Sequence, residues 1–314
     1  MGTPNQGHRE QPSVAVLLAT YNGMRFLPEQ LDSIFAQRDV TVRVIAMDDG
    51  SSDGTAEWLR ELALGEPRLT VLSDDGTSGS SAANFYRLIA AYRAKPDELV
   101  AFADQDDVWL PDKLSRHAAL LAAGVDGVSS SVWSFTSDGK RTLVRKNYPQ
   151  REWDFLLESP GPGCTFLMSP RLAALTAEVL RRDVDIAPQV DFHDSLIYAI
   201  ARGHGWTWHI DGYPSVDYRQ HDTNVMGSNV GLGSALARLK LIREHWLRNH
   251  AVKLTRVALR VAPAPRRAEL ERILGLLEGR GIRNRLALAR MTASMRRRPR
   301  DRTIIGVLIA IGVW

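Results

Sequence analysis

Apolar and polar positions follow two rhythms along residues 13–123. Ser13 to Ala19 is a nearly continuous apolar run rich in valine and leucine, the pattern of a parallel strand covered on both faces. Thr20-Tyr21-Asn22-Gly23 ends it with turn-forming residues. Leu27, Leu31, Ile34 and Phe35 then recur at helical spacing and predict a helix over 27–37 with one buried stripe. The two rhythms repeat. Val40 to Met47 predicts a strand, and the loop 48–55 leads to a helix bearing Trp58, Leu59 and Leu62, capped by Asp53 or Thr55. Leu69 to Ser73 predicts a third strand, followed by a Gly- and Ser-rich loop over 74–82. Asn84, Phe85, Leu88, Ile89 and Tyr92 mark another helix, and 98–103 another strand. Pro111 opens a further helix that continues from Lys113 to Ala123.

Strands and helices in strict alternation predict an α/β fold with a mostly parallel sheet and right-handed crossovers. Ligands bind such sheets at the carboxyl ends of the strands. The later pattern is less regular. Val128 to Phe135 reads as one strand, and residues 136–160 are weakly patterned. Thr165 to Met168 predicts a strand, and Pro170 opens a helix through Leu180. Asp191-Phe192-His193-Asp194 precedes a helix that stops at Gly203, and Trp206–Ile210 and Val216–Tyr218 read as strands. From Gly231 the pattern is helical and basic: a helix over 234–262, an interruption at Pro263 and Pro265, and two more segments at 266–279 and 281–298. Thr303 to Trp314 is almost wholly apolar and shorter than the roughly 20 residues that span a bilayer.

These shifts divide the chain into a disordered start at 1–12, a body at 13–230 and a helical extension at 231–314. Charge divides it at the same place. Residues 231–314 hold 19 Lys and Arg against 5 Asp and Glu, a net +14, whereas 1–230 hold 21 against 31, a net −10. An acidic body suits a cation, and a basic tail suits an anionic surface. Cys164 is the single cysteine, so no internal disulfide forms and a reducing compartment is expected. Met1 to Pro12 carries no apolar run, which argues against a signal peptide.

The chemistry concentrates at Asp104-Gln105-Asp106-Asp107-Val108-Trp109. A buried strand runs into three carboxylates, whose mutual repulsion a hard divalent cation with oxygen ligands offsets. With this stretch, Leu-Ala-Thr-Tyr-Asn-Gly at 18–23, Asp-Asp-Gly-Ser-Ser-Asp-Gly-Thr at 48–55, Asn84-Phe85, His193-Asp194 and Tyr-Arg-Gln-His at 218–221 appear in one order. The body, over about 13–227, resembles the family 2 glycosyltransferases of the GT-A fold, in particular their rhamnosyltransferase-like branch.

The resemblance implies an inverting, metal-dependent transferase. It would use a nucleotide-diphosphate sugar, with dTDP-L-rhamnose the leading donor, and a cell-surface glycan or lipid-linked saccharide acceptor. It implies donor contacts at Thr20, Tyr21, Asn22, Asp49, Asp104 and Gln105, with Asp49 reading the base, and Mg²⁺ or Mn²⁺ at Asp104 and Asp106. Asp107 is left to cap the following helix. Asp194 takes the position of the catalytic base. His193 stands where the family usually has an acid, a departure shared with rhamnosyltransferase-like members. His221 would complete the metal or phosphate site, and Arg219 would contact the diphosphate.

The extension is either a set of solvated basic helices or a peripheral contact with anionic lipid, which places the protein in the cytoplasm at the inner face of the plasma membrane. Its arginines are spread over several helices, which speaks against nucleic acid. Two rivals keep the same fold: a nucleotidyltransferase, which would show a basic Gly-rich loop after the first strand, and a non-catalytic membrane adaptor.

Overall fold

The computed structural model describes residues 11–73, 76–185, 187–220 and 245–314. The expectations for the N-terminal segment, for His221 and for the start of the helix at 234 therefore lie outside the described residues.

The alternating pattern becomes strand β1 (Ser13–Thr20), helix α1 (Leu27–Phe35), β2 (Thr41–Asp48), α2 (Thr55–Gly65), β3 (Leu69–Leu72), α3 (Ser81–Ala91) and β4 (Leu99–Ala103). Val14 to Leu18 have no solvent exposure, as expected for a strand with helices on both faces. A two-residue strand, β5 (Val108–Trp109), precedes α4 (Lys113–Ala122). Pro111 thus lies in the turn before that helix, whose cap position is Asp112. Ser80 caps α3 by accepting from the Ala83 N–H. Helix α2 is entered through Gly54 in a left-handed conformation, while the Asp53 carboxylate accepts from the Thr55 N–H one residue into the helix.

The region read as one strand, Val128 to Phe135, is two. β6 (Gly127–Ser130) belongs to the large sheet and β7 (Val132–Phe135) to a small second sheet, with Ser131 between them. The Ser-Val sequence there carries no turn signal, so the change of sheet leaves no mark on the pattern. β8 (Arg141–Val144) lies in the weakly patterned region, and β9 shortens to Leu167–Met168. Then come α5 (Pro170–Arg182), α6 (His193–His204), β10 (Trp208–Asp211) and β11 (Val216–Arg219).

The large sheet has the order β10-β6-β9-β4-β1-β2-β3. All its pairings are parallel except those of β9 with β4 and β6. Register fixes the functional edge. Thr20 pairs with Asp48 across β1 and β2, and Leu18 pairs with Ala103 across β1 and β4. The loops that follow, at 21–26, 49–54 and 104–107, therefore leave the sheet side by side. The small sheet, β5-β11-β7-β8, stands next to the acidic loop.

Among the described residues, four helices follow: α7 (Trp246–Val261), α8 (Ala264–Glu278), α9 (Ile282–Met295) and α10 (Pro299–Ile311). They pack on the body. Leu254, Val257, Leu270, Ile273, Leu288, Met295, Ile309 and Trp314 are buried in the same apolar cluster as Phe85, Phe102 and Tyr198. The terminal apolar segment is thus half used: Ile309 and Trp314 face the core, while Ile304, Val307 and Ile311 are 46, 55 and 60 % exposed. No helix among the described residues is long and apolar enough to cross a membrane.

Candidate active site

Three loops build the site from the edge of the sheet. In the first, Asn22 adopts a left-handed conformation with φ of 50°, which asparagine tolerates better than most residues. Its N–H donates to Ser51 Oγ and its Oδ1 accepts from the Ser52 N–H. Gln105 ties this loop to the acidic one in both directions. Its Nε2 donates to the Tyr21 carbonyl at 2.9 Å and its Oε1 accepts from the Tyr21 N–H at 2.7 Å. A side chain at Gly23 would put its Cβ 2.3 Å from that Oε1, so only glycine lets the two loops meet. The Tyr21 ring remains 57 % exposed beside them.

The second loop separates its two aspartates. Asp48 accepts from Thr20 Oγ1, Ser51 Oγ and the Gly50 and Ser51 N–H groups, and its carboxylate is spent on the turn. Asp49 is 5 % exposed and accepts from the Ser78 and Gly79 N–H groups and from Arg87. It fastens the Gly- and Ser-rich loop over the cleft.

The third loop carries the acids. Burial, then Asp106, then Asp194 push the Asp104 carboxyl up to about 7. The Asp106 and Asp194 carboxylates thus lie near enough to act on Asp104. Asp107 does not cap the next helix. It is buried, with Oδ1 accepting from the Arg219 N–H and Oδ2 lacking a partner. Burial, with Asp106 and Asp104 beside it, raises its pKa well above the usual range. One ligand atom from each of Asp104, Asp107 and Cys164 lies within 4.8 Å of the others. Burial likewise raises the Cys164 thiol. Below sits Lys113, fully buried, its ammonium 3.5 Å from the Trp109 ring centroid. Burial lowers that ammonium to about 7.

Arg219 lies against the back of this loop. Its Nε donates to the Asp106 carbonyl, its Nη2 pairs with Glu29, and its guanidinium sits between the Phe26 and Phe135 rings. In this arrangement it braces the acidic loop.

Asp194 lies in the first turn of α6, whose cap position is Phe192. Its Oδ1 accepts from the Ser195 N–H and its Oδ2 from Ser159 Oγ at 2.9 Å. The preceding His193 packs 4.0 Å from the Phe85 ring centroid, and burial drops its pKa to about 4. A Cβ at Gly163 would come 2.0 Å from His193 Nε2. His193 is thus a neutral ring filling space beside Asp194. Sequence reasoning missed Ser159 and Lys146, and gave Asp107 only a capping role. Lys146 is close enough for the Asp194 charge to oppose the lowering that burial imposes on it. Neither Ser159 nor Lys146 lies within a motif that sets it apart.

The glycosyl transferase family 2 model matches residues 15–181. The dTDP-rhamnosyl transferase RfbG of Shigella flexneri is 29% identical over 299 residues, covering 95% of this chain and all of that protein. The TuaG protein of Bacillus subtilis, a teichuronic acid biosynthesis glycosyltransferase by its provisional name, is 32% identical over 111 residues, 35% of this chain and 42% of that one. Among solved structures, S. aureus TarS 1–349 in complex with UDP aligns over 96% of this chain and 88% of that one, with a TM-score of 0.55 at 15% identity. The mannosyltransferase PcManGT of Pyrobaculum calidifontis with GDP-Man and Mn²⁺ aligns over 98% and 82%, with a TM-score of 0.51 at 19% identity.

Proposed function

The chain belongs to glycosyl transferase family 2, in its rhamnosyltransferase-like branch, with the GT-A fold, and we propose that it is an inverting, metal-dependent transferase of L-rhamnose from dTDP-rhamnose. The gathering of Asp104, Asp106 and Asp107 just after β4 at the carboxyl edge of the sheet, with Asp194 near enough for its charge to act on Asp104, carries this reading. The likeness to RfbG along the whole length of that protein supports the donor.

Asp104 and Asp107 bring carboxylate oxygens to close quarters, with Asp107 Oδ2 buried and unpaired by any protein hydrogen-bond donor within reach, a crowding that a divalent cation would offset. Asp104 and Asp106 would hold Mg²⁺ or Mn²⁺. The bound cation would neutralise charge on the leaving diphosphate. Cys164, protonated and soft, is a poor fourth ligand for either ion. The chain's own part is positioning and proton transfer. Tyr21, Asn22 and the Asp49 loop enclose the nucleoside, with Gln105 setting the width of the cleft. Asp194 takes the proton of the acceptor hydroxyl as its oxygen bonds to the anomeric carbon. The anomeric C–O bond breaks on the opposite face and dTDP departs. A single displacement inverts the centre.

A thermal-shift series checks the donor. A ligand that binds only the native state raises Tm, so dTDP-rhamnose with Mn²⁺ is expected to raise it more than UDP- or GDP-sugars do. A larger rise with a UDP-sugar would move the reading to another donor.

We propose that the protein works at the inner face of an anionic membrane, as suits a lipid-linked saccharide acceptor. Ile304, Val307 and Ile311 follow helical spacing along the exposed side of α10, and Leu286 on α9 is 41 % exposed. Residues 279–314 carry nine arginines and one acid. Basic residues near such a surface contribute about 1 kcal/mol each, and salt screens that term. Co-sedimentation with vesicles rich in phosphatidylserine is expected at low salt, to weaken at high salt, and to be lost in Ile304→Glu/Val307→Glu. Full-length protein left in the supernatant on anionic vesicles at low salt would reduce the exposed stripe to a surface feature.

A further inference from the structure

The catalytic base reaches the C-terminal helices through one arginine. Arg297 sits in the turn between α9 and α10 and is 3 % exposed. Its backbone N–H donates to Glu158 Oε1 at 2.5 Å, and its Nε lies 3.1 Å from Glu158 Oε2. Its Nη2 donates to the carbonyl of Ser159, the residue whose hydroxyl donates to Asp194. Its Nη1 lies 3.5 Å from Asp154 Oδ2, a side chain with no exposure. Asp154 Oδ1 accepts in turn from the Tyr198 hydroxyl at 2.8 Å. Tyr198 is on α6, one helical turn beyond Asp194. The guanidinium therefore holds both the loop that touches the base and the helix that carries it. Neighbouring Arg296 donates to the Leu157 carbonyl at 2.5 Å, and the Ser294 carbonyl accepts from the Trp153 N–H at 2.9 Å.

A buried ion cluster contributes little net stability compared with apolar packing of the same volume. What it fixes is geometry. The loop over 157–162 contains no helix or strand of its own to set the place of Ser159. Within it Ser159 Oγ also bonds Gly161 and the Pro160 carbonyl accepts from Ser129 Oγ, and Arg297 adds the hold from the C-terminal helices. A second hold acts on the approach to the helix: Asp191 accepts from Trp246 Nε1 at 2.9 Å and lies 3.4 Å from Lys253 Nζ, both on α7.

We propose that Arg297 is a positioning residue for the reaction, setting the orientation of the Asp194 carboxylate through Ser159 and through Asp154 and Tyr198. The proposal rests on Asp194 being the base. It makes the C-terminal helices a working part of the active site in addition to any surface they present outward.

The test is a set of double-mutant cycles in the full-length protein. Release of nucleoside diphosphate from dTDP-rhamnose with saturating Mn²⁺ is measured for Arg297→Met, Arg297→Lys and Ser159→Ala, each with and without Asp194→Asn. A misplacement of about 1 Å costs up to ~10²-fold in turnover, so Arg297→Met is expected to lower kcat about 10- to 100-fold with the donor KM unchanged. Ser159→Ala should lie in the same direction, and Arg297→Lys between them, since an ammonium lacks the fork that serves three acceptors. In the Asp194→Asn background all three should add less than about twofold, because residues acting through one group are not additive. Normal kcat in Arg297→Met, or an equal drop with and without Asp194, overturns the proposal. If Arg297→Met does not fold, the Ser159→Ala and Arg297→Lys cycles decide by the same criteria. Full activity in Asp194→Asn alone would instead overturn the base assignment, and the proposal with it.

Discussion

Asp194→Asn is expected to bind the nucleotide sugar as the wild type does and to turn it over ~10²–10⁴-fold more slowly, the usual contribution of a positioned base. The substitution is nearly isosteric. Its amide oxygen can still accept from Ser159 Oγ, or from the Ser195 N–H that Oδ1 now holds at 2.5 Å, so the first turn of α6 should keep its shape. What goes is the ability to take a proton from the acceptor hydroxyl. In the proposed reading the donor is held elsewhere, by the loops at 21–26, 49–54 and 104–107, so its KM should hold while kcat falls. Removing the charge should also let the Asp104 carboxyl ionise more readily, since Asp194 is one of the charges that keep it high. Metal affinity should therefore be unchanged or slightly improved. An equal loss of donor affinity would assign Asp194 to binding instead.

Asp106→Asn is the second large effect. Charge neutralisation by a bound cation supplies several kcal/mol at the transition state, and each ~1.4 kcal/mol is a factor of about ten in rate. A drop of roughly 10²–10³-fold in metal-dependent turnover is expected on those two figures. The loop should survive, because the contact from Arg219 Nε goes to the Asp106 backbone carbonyl and not to its carboxylate. Without metal the variant should be as stable as the wild type or more so, since like charges crowd Asp104 and Asp107. The checks are Tm in EDTA and in Mn²⁺ together with turnover. The wild type should gain Tm on adding Mn²⁺, and Asp106→Asn should gain little. Near-normal turnover of the variant in saturating Mn²⁺ would remove Asp106 from the metal site.

Much of the body was legible in the sequence because its strands are buried on both faces. Val14 to Leu18 and Val100 to Ala103 are continuous apolar runs, and each ends abruptly in polar loop residues. The edge where the loops gather follows from that alternation alone. Legibility failed where the chain leaves the parallel pattern. Ser131 carries it from one sheet to the other without a glycine or proline to mark the place. β9 enters the large sheet antiparallel with two residues, too few for any periodicity.

The site divides in the same way. Asp104 and Asp106 stand at the end of an apolar strand, where the crowding of acids marks them, whereas Asp194 is marked by the family resemblance. Asp107 looked like a helix cap and is instead the buried member of the acidic cluster, because β11 returns to cover it with the Arg219 N–H. Arg297 reads as one of three consecutive arginines on a basic tail. Its partners lie 138 or more residues earlier, and no local pattern distinguishes a buried guanidinium from the solvated ones beside it. The extension, read from its charge as solvated helices or a lipid contact, also packs on the body: α10 buries Ile309 and exposes Ile304, Val307 and Ile311.

The central claim is a metal-dependent release of dTDP from dTDP-rhamnose at the cleft formed by Asp104, Asp106 and Asp194. Full-length protein is incubated in parallel with dTDP-rhamnose, a UDP-hexose and GDP-mannose, each in Mn²⁺ and in EDTA, and the released nucleotide is identified. The account predicts dTDP from dTDP-rhamnose in Mn²⁺, loss of that release in EDTA, its return on adding Mn²⁺ or Mg²⁺, and little product from the other two donors. Preferential release of UDP or GDP, release undiminished by EDTA, or pyrophosphate in place of the nucleoside diphosphate would contradict it.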